Sequence, residues 1–284
     1  MNPLLVDTHA HVNFNAFKND GDAVIQRALD EGTWVVNVGS QIDTSRRAVE
    51  YAGHYPEGVY AVVGLHPVHL FSQHIDEEEF GFDSREEKFD YEAYKTLAKH
   101  EKVIGIGECG LEYFHLPDSE AEEIKRTQKD AFIQQIELAS ELKKALMVHS
   151  RDAYQNIYEI LRERRKILSN VIIHSFIGNW EEAKKFLDLG CYISFNGIIT
   201  FKPRKEKTPG ASDPELLEAV KNIPLERMVL ETDCPYLAPA IHRGERNEPS
   251  YVKFTAEKIA EIKNISFDEV ARQTTQNART AFAI

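Results

Sequence analysis

A chain of 284 residues, 42% hydrophobic and 28% charged, has the length and composition of a globular protein with one large core. Its net charge of −12 argues against a protein that coats nucleic acid through a general basic field. It leaves room for an enzyme that holds phosphates with metal ions and a few local cations. No apolar run approaches the ~20 residues that a membrane span needs, and no basic, apolar leader precedes the first strand-like run. Cys109, Cys191 and Cys234 show no CxxC spacing, so reduced thiols and a cytoplasmic location are expected.

In chain order, short Val/Ile-rich runs predict eight strands, at 4–7, 34–38, 59–63, 103–106, 146–148, 171–173, 192–195 and 228–230. Amphipathic stretches between them predict helices at 22–31, 45–54, 91–100, 122–142, 153–164, 180–188 and 215–222. Two more, 252–263 and 266–282, close the chain and are expected to cover its outside. Eight strands with crossover helices meet the requirement of a (β/α)8 TIM barrel formed by residues 1–284 as one domain. An open doubly wound sheet competes, but no GxGxxG follows the first strand. Residues 72–88, with Glu77, Glu78, Glu79, Glu86 and Glu87, read as a solvated insertion. Residues 201–213 read as a loop in which Lys202, Arg204, Lys205 and Lys207 face one acid, Glu206, for a local charge of +3 (four minus one).

His9 and His11 stand at the end of the first strand at i, i+2, and so point to one side of it. Neutral imidazoles in that arrangement suit zinc and neighbouring divalent metals. Glu108, His149, His174 and Asp233 each stand at or just past the end of a later strand. In a barrel those ends share one face, where active sites lie. Four histidines and two carboxylates are too many for one tetrahedral ion but suit a binuclear site with a bridging carboxylate. Glu108 is expected to bridge, with His9, His11 and Asp233 favouring one ion and His149 and His174 the other. Asp233 is placed to take a proton from water.

These residues lie in segments that resemble the TatD family of metal-dependent deoxyribonucleases, within the amidohydrolase-like barrel superfamily. The segments are Asp7-Thr8-His9-Ala10-His11, Gly64-Leu65-His66-Pro67, Gly107-Glu108-Cys109-Gly110-Leu111-Glu112-Tyr113, His149-Ser150-Arg151, His174-Ser175-Phe176, Glu231-Thr232-Asp233-Cys234-Pro235-Tyr236 and Arg246-Asn247-Glu248-Pro249. The resemblance covers essentially the whole chain. It implies a TIM-barrel hydrolase that uses two divalent ions (Mg²⁺, Mn²⁺, Zn²⁺ or similar) to cut phosphodiester bonds in DNA, typically from the 3′ end, with RNA a further candidate substrate. It implies the same six metal ligands, a role for His66 beside the scissile phosphate, and substrate contacts from Arg151, Arg246 and Asn247. Glu112 stands where the family usually has Asp, and the family's His-Pro-His becomes His66-Pro67-Val68-His69.

The alternative is a binuclear amidohydrolase acting on a small amide, lactone or ester; related barrels often bridge their metals with a modified Lys on strand four, where Glu108 stands here. A metal-free binding module on the same barrel is a third reading. In the nuclease reading the Lys202–Lys207 loop and Arg246 steer the polymer backbone. No membrane association and no obligate protein partner are expected.

Overall fold

The Val/Ile-rich runs become the staves of a barrel in the structure, a computed structural model that describes residues 3–71, 74–75, 82–83, 86–117, 120–202 and 213–284. The strands are β1 (Leu5–Ala10), β2 (Thr33–Val38), β3 (Val59–Val63), β4 (Val103–Glu112), β5 (Ala145–Arg151), β6 (Val171–Ile173), β7 (Tyr192–Phe195) and β8 (Met228–Leu230). They pair in sequence order, every pair parallel. Parallel neighbours need long crossovers. These carry α1 (Gly21–Asp30), α2 (Ile42–Gly53), α3 (Tyr91–Ala98), α4 (Ala121–Leu142), α5 (Tyr154–Arg164), α6 (Trp180–Asp188) and α7 (Pro214–Asn222), followed by α8 (Val252–Lys263) and α9 (Phe267–Phe282).

Between β8 and β1 the barrel closes by a different set of bonds. Ala10 bridges Cys234, His11 N donates to Cys234 O (2.8 Å), and Thr8 Oγ1 donates to Leu230 O (2.9 Å). The buried carboxyl of Asp7 meets Thr232 N at 2.8 Å and Thr232 Oγ1 at 2.6 Å.

Burial on both faces explains why the strands read as continuous apolar runs rather than alternating ones. Every strand sends a side chain into the inner cluster, among them Val6, Val36, Val62, Ile104, Met147, Ile172, Tyr192 and Val229. The outer cluster joins the other strand face to the helices through Leu5, Val35, Ile106, Cys109, Val148 and Ile193. The last helix does more than cover the outside. Ala278, Ala281 and Phe282 of α9 belong to the inner cluster with Trp34, and Asn277 Nδ2 donates to Leu225 O and Met228 O (both 2.7 Å). α9 therefore plugs the end of the barrel where the strands begin, leaving the opposite end for chemistry. No described helix is long and apolar enough to cross a membrane.

Two strands depart from regular pairing where it matters. β1 slips register between Asp7 and Ala10, so Leu5 and Ala10, of opposite parity, both lie in the outer cluster. The slip turns His9 and His11 toward the interior. β4 runs six residues past its predicted end at Ile106, with an irregularity between Ile106 and Cys109 where three steps on β4 match two on β5. The extra residue swings Glu108 inward. Gly107 lies there at φ 137°, a region that favours glycine, with β5 backbone at Met147 against the place a Cβ would take.

The predicted insertion at 72–88 contains a two-residue antiparallel ladder, His74–Ile75 with Phe82–Asp83; most of the rest lies outside the described residues. So do Arg204, Lys205 and Lys207 of the basic loop, while Lys202 is described and exposed.

Candidate metal centre

Five side chains from four strand ends converge on Glu108, and Asp233 meets three of them. Glu108 Oε2 lies 3.3 Å from His9 Nε2 and 3.9 Å from His11 Nε2. Its Oε1 lies 2.9 Å from His149 Nδ1, 3.3 Å from His66 Nε2 and 3.5 Å from His174 Nε2. Asp233, from the loop after β8, approaches His11 Nε2 (3.4 Å), His9 Nε2 (3.8 Å) and His174 Nε2 (3.9 Å). One oxygen of Glu108 thus serves the β1 histidines and the other those of β5, β6 and the loop after β3. Asp233 joins His9 and His11, as the sequence suggested, but also faces His174.

The far side of each ring decides what its near side can do. His11 Nδ1–H donates to Val38 O (2.8 Å), which leaves the Nε2 lone pair facing inward. His174 Nδ1 lies 3.0 Å from Glu231 Oε1, and Glu231 is held by Ser175 N (2.7 Å) and Ser194 Oγ (2.6 Å). His149 Nε2 lies 3.1 Å from Glu112 Oε2, so the methylene added relative to the usual Asp does not take the carboxylate away from the ring. Glu112 Oε1 also accepts Phe114 N (2.9 Å). His9 Nδ1 meets Met147 Sδ at 3.3 Å. Carboxylates and carbonyls behind imidazoles fix the tautomer and raise ligand basicity.

This donor set fits divalent cations. His9 Nε2 and His11 Nε2 lie only 3.1 Å apart, and two lone pairs at that distance repel unless a cation or proton is shared between them. His9, His11 and Glu108 form one group able to hold an ion, and His66, Glu108 and His149 another. A third group, His9, His174 and Glu231, spans the boundary between them.

The charges respond to each other. Burial would raise Glu108, but His66, His174 and His9 hold it well below the usual carboxylate range. Asp233 is likewise lowered, burial being outweighed by His174 and by the contact with His11. Burial would lower His149 and His174, yet Glu108 and Glu112 raise the first to about 9. Glu231, Glu108 and Asp233 raise the second to about 10. Burial dominates at His9 and His66 and lowers both, favouring neutral rings.

His66 differs from the other four imidazoles. Its Nδ1 accepts Val68 N–H (3.1 Å) as the cap of the short helix Pro67–Leu70. In the neutral ring the proton is then on Nε2, the nitrogen that faces Glu108, so His66 presents a donor rather than a lone pair, and the group it shares with Glu108 and His149 keeps those two as its ligating members. His66, His149 and Asp233 retain 13%, 16% and 15% side-chain exposure, whereas His9 has none, so a substrate meets those three first. His69 is buried with its ring centroid 6.3 Å from that of His66.

Arg151, at the end of β5, lies with its guanidinium 4.2 Å from the Phe114 ring centroid. Asn247 is buried beside the Asp233 loop. Its Nδ2 donates to Thr232 O (2.9 Å) and Tyr236 O (2.7 Å), and its Oδ1 accepts Glu248 N (3.0 Å). Both ends of this buried side chain clamp the segment that carries Asp233. Arg246 pairs with Asp20 (2.6 Å) and Glu248 (3.4 Å) and packs over Phe17 (4.3 Å), fastening the same segment to the loop after β1. Glu231 is a residue whose role the sequence reading missed. Its signal was parity, since it stands two positions before Asp233 at the end of β8.

The sequence matches the TatD related DNase family over residues 6–283. The chain belongs to that family. It is 40% identical over 282 residues to a Bacillus subtilis protein described as the uncharacterized metal-dependent hydrolase YabD, covering 99% of this chain and all of that one (100%). It is 32% identical over 285 residues to the Escherichia coli K12 protein described as the uncharacterized metal-dependent hydrolase YcfH, covering 99% and 96% of the two chains. The crystal structure of the TatD homologue YJJV from Escherichia coli K12 superposes with a TM-score of 0.83 at 25% identity, covering 100% of both chains. At the level these relatives share, the chain is a metal-dependent hydrolase of the TatD family.

Proposed function

We propose that this protein hydrolyses phosphodiester bonds in DNA, as a 3′→5′ exonuclease, with two divalent ions held between His9, His11, Glu108, His149, His174 and Asp233. The observation that carries the binuclear reading is the division of Glu108, one oxygen toward His9 and His11 and the other toward His149, His66 and His174. The choice of DNA is supported by membership of the TatD related DNase family.

Divalent ions in such a site supply positive charge that polarises a phosphoryl oxygen and makes water more acidic. The chain supplies the rest. Asp233, kept ionised and partly exposed, accepts the proton of the attacking water at its carboxylate. His66 donates from Nε2 to a phosphoryl oxygen, its tautomer fixed by Val68. Glu112 and Glu231 hold His149 and His174 in register, and Asn247 holds the Asp233 loop.

The test is an assay of purified protein, stripped and reloaded with Mg²⁺, Mn²⁺ or Zn²⁺, on oligodeoxynucleotides labelled at either end, oligoribonucleotides, and lactone and amide panels. Metal-dependent shortening from the 3′ end, abolished by chelator, is the expected result. Asp233→Asn should lower turnover by about a hundredfold or more while retaining partial metal occupancy by elemental analysis. Turnover of lactones or amides in place of oligonucleotides would replace the nuclease reading.

A further inference from the structure

We propose that Phe114, backed by Arg151, is a stacking platform for the nucleobase next to the scissile phosphate. The inference rests on the nuclease reading for its substrate, and adds where the base goes.

Among the described residues with large, mostly exposed apolar side chains (Leu4, Phe114, Ile167, Ile177 and Ile241), Phe114 is the aromatic one, 51% exposed. Single exposed hydrophobic residues are ordinary on protein surfaces; the position and support of this one are not. It stands two residues beyond the end of β4, on the face where the metal ligands gather. Its backbone is pinned to the centre: Phe114 N donates to Glu112 Oε1 (2.9 Å), Glu112 Oε2 lies 3.1 Å from His149 Nε2, and His149 Nδ1 lies 2.9 Å from Glu108. The Arg151 guanidinium lies 4.2 Å from the ring centroid, and the His115 ring stands edge-on to it at 4.9 Å. Two neighbours thus fix the ring, and half of its surface faces solvent.

That combination matches one ligand chemistry. Every base has a π-face, so stacking on an aromatic ring tolerates any sequence, as a nuclease working along a strand requires. The arginine over the ring adds cation–π attraction and places positive charge beside the phosphate that follows the base. In a chain of net charge −12, such local pairing is how a polyanion end can be held at all.

The test uses the Mg²⁺-loaded protein with an oligodeoxynucleotide carrying 2-aminopurine at its 3′ end and an uncleavable methylphosphonate at the last linkage. Fluorescence quenching reports stacking, and a cleavable oligonucleotide with a normal or an abasic terminal residue reports turnover. Wild-type protein should quench 2-aminopurine. Phe114→Ala and Phe114→Leu should bind about tenfold more weakly with the quench lost, and Phe114→Trp should restore it. The ratio of kcat/KM for normal over abasic ends should fall by a similar factor in the Ala and Leu variants. Absence of quenching in the wild type, or quenching and ratio unchanged in both variants, overturns the platform. Cleavage that persists with an unchanged ratio overturns it and leaves the nuclease reading standing. Phe114-dependent quenching without cleavage by the wild type removes the nuclease reading and leaves the platform.

Discussion

In the proposed site Glu112 and Glu231 stand at one remove from the cations, beside the second nitrogen of an imidazole. Each is buried, and each faces a histidine whose other nitrogen points at Glu108. Glu112→Gln keeps the shape but removes the charge that holds His149. Metal affinity measured by calorimetry should fall about ten- to a hundredfold, the usual effect of losing such a support. An affinity within twofold of wild type would reduce Glu112 to a fold-holding residue. The six residues that meet at the barrel mouth were legible because each follows an apolar run, and the end of a buried strand is a poor place for an unsatisfied imidazole or carboxylate. Glu231 was not legible in the same way: its partner, His174, stands 57 positions earlier, and only the barrel brings the two together. The packing of Asn247 was hidden for the opposite reason. A polar residue after the last strand looks like a substrate contact, and nothing in its neighbours shows that backbone carbonyls of Thr232 and Tyr236 take both its protons.

The elements place these residues through irregularity as much as through pattern. The register slip of β4 turns Glu108 inward, and it depends on Gly107 at φ 137° against the backbone of β5. Gly107→Ala should lower stability by more than about 1 kcal/mol, as expected where alanine must take a glycine conformation. It should also reduce metal occupancy, both read from melting with and without added Mn²⁺. A variant as stable and as well loaded as wild type would show that the strand reaches Glu108 by another route. Among the described residues, the eight barrel strands and nine α-helices were predicted, mostly within a few residues, because alternation of short apolar runs with amphipathic ones survives in the sequence. The far half of β4 was not, because the apolar run ends at Ile106 and three glycines stand within 105–110, yet the stretch is a buried strand that continues to Glu112. The seam between β8 and β1 offers a second test. Burial raises Asp7 well above the usual carboxylate range despite its bonds to Thr232 and His9. Thr232 N and His9 N donate to one of its oxygens and Thr232 Oγ1 to the other, and an amide keeps an acceptor for the two backbone groups. Asp7→Asn should therefore cost less stability than Asp7→Ala, which strands buried partners and should cost about 2–3 kcal/mol. Equal losses in the two variants would mean that the oxygen bonded to Thr232 Oγ1 carries the whole contribution.

For the molecule as a whole, the barrel gathers five imidazoles and four carboxylates at one mouth, and their balance sets how cations enter. Burial opposes charging His149 and His174, but the surrounding acids raise them to about 9 and about 10, above the ~6.5 of a free imidazole. In the cation-free protein both therefore carry protons at neutral pH. A raised folded-state value means that protonation stabilises the fold. That contribution is complete below about pH 6.5 and is lost as pH rises through about 9–10. A divalent ion competes for the same lone pairs, so its affinity must run the other way, rising with pH across this window by up to about tenfold per unit for each proton displaced. Calorimetry at pH 7 in buffers of different ionisation enthalpy should detect protons released on binding Mn²⁺ or Zn²⁺. Melting curves should diverge between pH 7 and 10, the stripped protein losing stability while the metal gains hold on the loaded one. Affinity independent of pH from 6.5 to 9, with no proton release, would mean that His149 and His174 are neutral before the metal arrives, and that the acids around them are matched by some other charge.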